Sequence, residues 1–315
     1  MPANLLLLGE YAVTEEGGLG IALASAPRAK VRVSPREGGG LAINGRMGPT
    51  TYNWVEGESE PPPLVAACVD EARAALEPPH ARIDIDSSAF FSAEGDKRGF
   101  GSSAAVAVGL SAALLRLGGF EGEALEAAVF PLALAAHRRA QGGRGSGYDV
   151  AASRFGGLGL FEGGAAPRWT GLPAELLLAL RGLELSLRFG PHPVLSALAV
   201  GNYQRWKARN LEGHRAFLSA SAALVRDFMA ATNPEELLAV LREAAEAGVA
   251  LGETIGVPAR PYASSPQAAF AEKCLGAGDE LILIATIPRP SIATQPTEQG
   301  PTLDVGIESE GLRWE

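Results

Sequence analysis

Three segments of the chain carry residue types whose spacing can do chemistry. The first is Lys97-Arg98-Gly99-Phe100-Gly101-Ser102-Ser103-Ala104-Ala105, a glycine loop that feeds straight into an apolar helix. Glycines let backbone amides approach an oxyanion, Ser102 or Ser103 can cap the helix, and the free first-turn amides add the positive end of the dipole. Those parts make a phosphate cradle, but they also make an ordinary serine-capped turn, and spacing alone leaves the two balanced. The second segment is Gly142-Gly143-Arg144-Gly145-Ser146-Gly147-Tyr148-Asp149-Val150. An acid just after a glycine run, at a helix start, can be held against a substrate hydroxyl while the loop admits a ligand. Taken alone, Asp149 reads more readily as a helix N-cap. Arg138, Arg139 and Arg144 either bind an anionic substrate or sit as solvated charges favoured by a helix end. The third segment, Lys273-Cys274-Leu275-Gly276-Ala277-Gly278-Asp279-Glu280, precedes Leu281-Ile282-Leu283-Ile284 and reads as a nucleotide-closing loop or as a plain turn before a buried strand.

The first segment also fits G-x-G-x-x-A, the dinucleotide pattern. That fold needs a strand running directly into the first glycine, whereas Ser92 to Arg98 separates the apolar run ending near Phe91 from Gly99. A nicotinamide-dependent oxidoreductase is therefore a distant reading.

The elements that must position these residues follow from the apolar pattern. Asn4 to Val13, Gly20 to Val33 and Ala81 to Phe91 predict strands, and Ser34 to Pro63 predicts loop with a short strand at Leu41 to Asn44. Helical spacing predicts helices over Leu64 to Leu76, Ser102 to Leu117 and Glu123 to Arg139, then a short one from Asp149 that runs into a strand near Leu158 to Phe161. Gly163 to Pro173 reads as a linker. Beyond it come a strand over Leu183 to Phe189, helices over Val194 to Asn210, Ala216 to Ala230 and Pro234 to Gly252, and strands over Glu280 to Thr286 and Leu303 to Gly311. Runs of strands and runs of helices without regular βαβ units predict an α+β protein.

At 315 residues the chain is long enough for two domains or one large α/β body. Lys and Arg number 27 against 36 Asp and Glu, a net charge of −9, and no basic run is long enough to track a phosphate backbone. No nucleic-acid partner is expected. The apolar stretches fall short of the roughly 18–20 residues a membrane span needs, and no charged, apolar and cleavage regions follow in series at the start. The expectation is a cytoplasmic protein with no membrane partner. Two cysteines, Cys68 and Cys274, and four histidines argue against a disulfide framework or soft-metal chemistry. Lysine occurs only at Lys30, Lys97, Lys207 and Lys273, which singles out the two beside glycine turns.

With the three segments in order, the chain resembles the GHMP kinase superfamily, closest to its phosphomevalonate kinases. The opening Pro2-Ala3-Asn4-Leu5-Leu6-Leu7-Leu8-Gly9-Glu10-Tyr11-Ala12-Val13 looks like the family's first motif, and Lys97 to Ala105 is similar to its nucleotide phosphate loop. Asp96-Lys97-Arg98, and Ala136-His137-Arg138-Arg139-Ala140-Gln141 followed by Gly145-Ser146-Gly147-Tyr148-Asp149, look like the phosphomevalonate branch. The resemblance implies a two-domain GHMP kinase fold, with a ribosomal-protein-S5-like N-terminal domain over 1–165 and a ferredoxin-like C-terminal domain over 166–315. It implies ATP and Mg²⁺ in a cleft between them, and γ-phosphoryl transfer to phosphomevalonate or a related phosphorylated or carboxylated alcohol. Carried over, Lys97, Gly99, Phe100, Gly101, Ser102, Ser103 and Ala104 hold the nucleotide, with Ser103 near the metal. Asp149 is the base or orienting group, and Glu10, Tyr11, Arg138, Arg144, Ser146, Gly147, Lys273 and Gly276 bind substrate. The partners are ATP and a small-molecule substrate, with the chain a monomer or homodimer.

Two departures keep a second reading open. Where the family's first motif has a lysine near the catalytic aspartate, this chain has Asn4, and Gly276-Ala277-Gly278 is shorter than the family's third glycine run. The alternative is a weakened or inactive homologue that binds a nucleotide or metabolite.

Overall fold

The computed structural model describes residues 1–37, 39–73, 80–92, 94–143, 145–190, 196–261, 270–288 and 302–315. These form two compact units: Met1–Leu5, Leu23–Gly157 and Ile307–Glu315 make the first, Leu6–Ala22 and Leu158–Gly306 the second. In chain order the elements begin with β1 (Pro2–Leu8), β2 (Leu19–Arg28), β3 (Lys30–Pro35), β4 (Leu41–Met47), β5 (Thr50–Val55), α1 (Pro63–Ala72) and β6 (Ala81–Asp86). Next come α2 (Ser102–Leu117), α3 (Gly122–Ala140), α4 (Tyr148–Phe155), β7 (Leu158–Glu162), β8 (Arg168–Gly171), α5 (Ala174–Arg181) and β9 (Glu184–Phe189). The last are α6 (Ser196–Arg209), α7 (Leu211–Ala230), α8 (Pro234–Ile255), β10 (Phe270–Leu275), β11 (Leu281–Thr286) and β12 (Leu303–Asp304). The mixed α+β class expected from the sequence is what forms. Three four-stranded sheets run in the orders β1-β2-β7-β8, β3-β6-β4-β5 and β10-β11-β9-β12.

The first unit is built around α2. From Ala104 to Leu115 every residue of this helix is buried, so it has no solvent face and packs against α1, α3, α4, β3 and β6. A helix apolar all round is stable only inside a core. Its first turn is thereby fixed in place, and the glycine loop before it inherits that rigidity. In the second unit β11 lies between β9 and β10, pairing antiparallel with both, and α8 packs against β10, α5, α6 and α7.

Several elements differ from the sequence expectation. The first strand stops at Leu8, because Gly9 and Tyr11 take φ of 93° and 63° and Ala12–Thr14 coils into a 3₁₀ turn. The run Gly20 to Val33 is two strands, β2 and β3, interrupted at Ala29. The expected loop over 34–63 contains the β4–β5 hairpin, whose strand residues Thr50-Thr51-Tyr52-Asn53-Trp54-Val55 favour sheet despite their polarity. The expected linker holds β8, and α5 follows it unanticipated. Ala81 to Phe91 ends as a strand at Asp86, and the closing strand shrinks to Leu303–Asp304, followed by a single bridge between Ser25 and Ile307. Residues 74–79, at the expected end of the first long helix, lie outside the described residues.

Candidate active site

The glycine loop before α2 is shaped by its backbone. Gly99 and Gly101 have φ of 70° and 73°, a region that side-chain-bearing residues avoid, and Gly101 is the helix N-cap. The sequence offered Ser102 or Ser103 as the cap; neither caps, and among the described residues no side chain accepts from the first turn of α2. The first-turn amides are therefore open to an external anion at the positive end of a 16-residue helix. The far end of the loop is pinned by Arg98, whose N–H donates to the Phe90 carbonyl at 3.0 Å, and by a bridge between Phe91 and Lys97. Lys97 is exposed, whereas Phe100 and Ala104 are buried and anchor the loop.

Asn4 is the residue that fastens this loop from below. It is 3% exposed, its N–H donates to the Phe100 carbonyl at 3.1 Å, and its Nδ2 donates to Ser153 Oγ at 3.0 Å and to the Gly101 carbonyl at 3.4 Å. Ser153 Oγ in turn donates to the Pro2 carbonyl at 2.9 Å. A β-carbon on Gly101 would lie 2.2 Å from Asn4 Nδ2, so the loop carries glycine there partly because Asn4 occupies the space. The resemblance puts the Asn4 position beside Asp149; here its amide reaches Ser153, one turn further along α4.

The second glycine segment ends in α4, whose N-cap is Gly147 with φ of 95°. Asp149 is thus in the first turn and not at the cap, which removes the capping reading of this residue. Its Oδ1 accepts from the Val150 N–H at 2.9 Å, and its Oδ2 faces His137 Nδ1 at 3.7 Å. A β-carbon on Gly147 would strike Leu134 Cδ1 at 2.3 Å, so α4 starts tight against α3. Arg138 is engaged with the loop itself: its Nε donates to the Gly145 carbonyl at 2.9 Å and its Nη2 to the Ser146 carbonyl at 2.8 Å. Arg139 pairs with Asp70 at 2.8 Å and Glu71 at 3.5 Å. Arg144 lies outside the described residues.

His137, absent from the candidate residues the sequence singled out, joins these pieces. It is buried in the last turns of α3, with Nε2 3.1 Å from Ser103 Oγ and 3.2 Å from Gln141 Nε2. The signal for it was the i, i+4 pair His137 and Gln141, which share one helix face. Ser153 was equally silent, because a buried hydroxyl leaves no periodic mark, and Asn4 stood out only as a departure from the resembled motif, not as the residue that fastens the loop.

Glu10, Tyr11, Lys273 and Gly276 belong to the second unit. Lys273, expected in a turn, is inside β10 opposite Leu283 and only 3% exposed. Charges at Glu272 and Lys273 disguised the strand; each is paired, Glu272 with Arg188 at 3.2 Å and Lys273 with Glu10. Lys273 Nζ also donates to the Cys274 carbonyl at 3.0 Å. Burial holds the Glu10 carboxyl above its ordinary value of 4.5, against the opposing pull of Lys273. Tyr11 Oη donates to the Ala277 carbonyl at 2.8 Å, its ring stacks on Tyr203 at 5.3 Å, and burial raises its phenol above the ordinary range. Gly276, with φ of 72°, opens the turn from β10 to β11. Glu10, Tyr11, Phe217, Leu251 and Lys273 help line a small, mainly apolar cavity of about 70 Å³.

Residues 63–157 match the family described as GHMP kinases N terminal domain. The phosphomevalonate kinase of Streptomyces sp. (strain CL190) is 26% identical over 284 residues, covering 77% of this chain and 74% of that protein. Among solved structures, the Lin0012 protein from Listeria innocua superposes with a TM-score of 0.75 at 18% identity, over 96% of this chain and 98% of its own. Streptococcus pneumoniae phosphomevalonate kinase in complex with phosphomevalonate and AMPPNP gives 0.69 at 20% identity, over 91% of each chain. These two likenesses establish the shared fold.

Proposed function

We propose, on the premise that the chain is a GHMP-family kinase, that it transfers the γ-phosphoryl group of ATP to phosphomevalonate or a related phosphorylated or carboxylated alcohol. The observation that carries the reading is the uncapped first turn of α2, behind a glycine loop, in the same unit as a first-turn Asp149 whose carboxylate lies 3.7 Å from His137, itself 3.1 Å from Ser103 of that loop. A nucleotide would suit this cradle: Gly101 leaves the backbone bare, and no side chain among the described residues competes for the first-turn amides. The amides of Ser102, Ser103 and Ala104 would bind the terminal phosphates and neutralise charge that develops on the leaving oxygen. The Ser103 hydroxyl is the residue that would meet a magnesium ion, which supplies further neutralisation of phosphate charge when bound. Asp149 would orient the acceptor hydroxyl and take its proton as the oxygen–phosphorus bond forms. Glu10, Tyr11, Lys273 and Gly276 stand as proposals for acceptor recognition. Among the described residues no helix is long and apolar enough to cross a membrane; a cytoplasmic monomer or homodimer is part of the proposal itself.

The second reading, a homologue that binds a nucleotide or metabolite without turnover, is favoured by Asn4, which brings no charge and whose amide is already bound by Ser153 and Gly101. Release of ADP measured with phosphomevalonate, mevalonate and sugar phosphates separates the two. ATP-dependent turnover with one of them supports the kinase; binding of an ATP analogue with no turnover on any supports the second.

A further inference from the structure

The contacts of His137 reach further than the function proposed above, on which this inference rests. The ring is 1% exposed and sits where three helices meet: Ser103 on α2, Gln141 just past α3, and Asp149 on α4. In the orientation the Gln141 amide takes, its nitrogen faces His137 Nε2, and an amide nitrogen can only donate. Nε2 therefore carries the lone pair, which the Ser103 hydroxyl at 3.1 Å also faces, and the ring proton is on Nδ1. That Nδ1 is buried without a hydrogen-bond partner among the described residues, and Asp149 Oδ2 lies 3.7 Å away. A buried donor lacking a partner is drawn toward a nearby acceptor, and a carboxylate is a strong one. The surroundings keep the ring where it is. Arg138 ties down the Gly145 and Ser146 carbonyls, and a β-carbon on Gly145 would lie 2.6 Å from Gln141 Oε1, so the loop leading to Asp149 rests on the residue that sets the tautomer.

We propose that His137 is a positioning residue which joins the phosphate loop to the acceptor-side carboxylate: Nε2 holds the Ser103 hydroxyl and Nδ1–H aims Asp149. With its proton given to Nε2, Ser103 keeps both oxygen lone pairs for a ligand at the loop, as a hydroxyl oriented from behind by a base does. Closing of Nδ1 on Asp149 fixes the carboxylate that faces the acceptor hydroxyl. No bond in the protein is made or broken.

The test has one arm that needs no turnover. In the unliganded protein, ¹⁵N spectra of the His137 imidazole are expected to show a neutral ring protonated on Nδ1. Asp149→Asn should shift the Nδ1 resonance, and Ser103→Ala the Nε2 resonance. A ring protonated on Nε2, or one whose Nδ1 resonance ignores Asp149→Asn, overturns the inference. In the kinetic arm, His137→Leu should lower kcat about 10- to 100-fold, the range for loss of a residue that orients a ligating or reacting group. The dissociation constant of an ATP analogue should stay within about threefold, and His137→Asn, which restores a donor toward Asp149, should recover about tenfold of the lost kcat. Equal losses in kcat and nucleotide binding, or an asparagine variant no better than leucine, mean that the ring only fills space and overturn the proposal. Spectra as expected in a protein that phosphorylates no acceptor would support the placement of the ring and sink the kinase reading instead.

Discussion

The loop region of the first unit and the strand region around Lys273 in the second hold polar groups in opposite ways. Around Gly101 the fastening is neutral: Asn4, Ser153, Ser103, His137 and Gln141 are linked by amide, hydroxyl and imidazole contacts, and the positive end of α2 is left open. Around Lys273 the fastening is ionic: Lys273 on β10 pairs with Glu10 in the turn after β1, and Arg188 on β9 pairs with Glu272 on β10. The difference teaches where an incoming anion is welcome. Open amides at a helix start meet an anion without displacing a side chain of the described residues, whereas the Lys273 ammonium already has a carboxylate, so an anion there must replace Glu10.

The largest effect expected from breaking this contrast is Lys273→Met. Removing one partner of a buried pair leaves Glu10 without its cation, at a cost of about 3–5 kcal/mol in unfolding free energy. The sign with pH is set by Glu10, whose folded-state pKa is already above 4.5 through burial and rises further once Lys273 is gone. The native state then holds a proton that the unfolded chain releases. The variant should be most stable below about pH 4.5 and lose stability as pH climbs through the raised value, a trend that denaturant melts at several pH values would reveal. A flat profile would mean that water already screens Glu10.

Gly101→Val probes the neutral side. The added β-carbon meets Asn4 and must adopt a φ of 73°, so both the loop and its amides are displaced. The dissociation constant of an ATP analogue should rise about 100-fold, near 2.7 kcal/mol, with a smaller fall in melting temperature. Calorimetric titration showing unchanged binding would remove the loop from the nucleotide site. Asn4→Ala, milder, deletes the side-chain ties to Ser153 and Gly101 but leaves the backbone bond to Phe100. About 1–2 kcal/mol of stability and a few-fold in nucleotide affinity should go.

The smallest expected effect concerns the thiols. Burial pushes Cys68 and Cys274 up to about 12, so neither forms thiolate at neutral pH. Ellman's reagent should label neither in the folded protein and both after denaturation; fast labelling of Cys274 in the native state would show that β10 opens locally.

The two regions were unequally legible in the sequence. The loop before α2 announced itself through Gly99, Gly101 and the apolar run that follows, since a residue that must take positive φ next to a buried helix leaves glycine in a fixed place. Asp149 was visible for the same reason, behind Gly147. The strand that holds Lys273 was hidden, because Glu272 and Lys273 read as surface charges and only their partners, Arg188 and Glu10, far away in sequence, make a buried strand tolerable. Of the β4–β5 hairpin only the start of β4, Leu41 to Asn44, was legible, its continuation and β5 being masked by polar residues and glycine, and α5 was hidden by its shortness. His137, Asn4 and Ser153 could not be found from spacing, since their roles exist only once α2, α3, α4 and β1 have packed.

If the open turn of α2 binds the nucleotide while Asp149 serves the acceptor, Asp149→Asn separates the two roles. Asparagine keeps an oxygen for the Val150 N–H and nearly the same volume, so the fold should be preserved. ADP release with the acceptor that the native protein phosphorylates should fall at least about 100-fold, with affinity for an ATP analogue changed by less than about threefold. Turnover close to the native rate, or a loss of nucleotide affinity as large as the loss of turnover, would contradict the account.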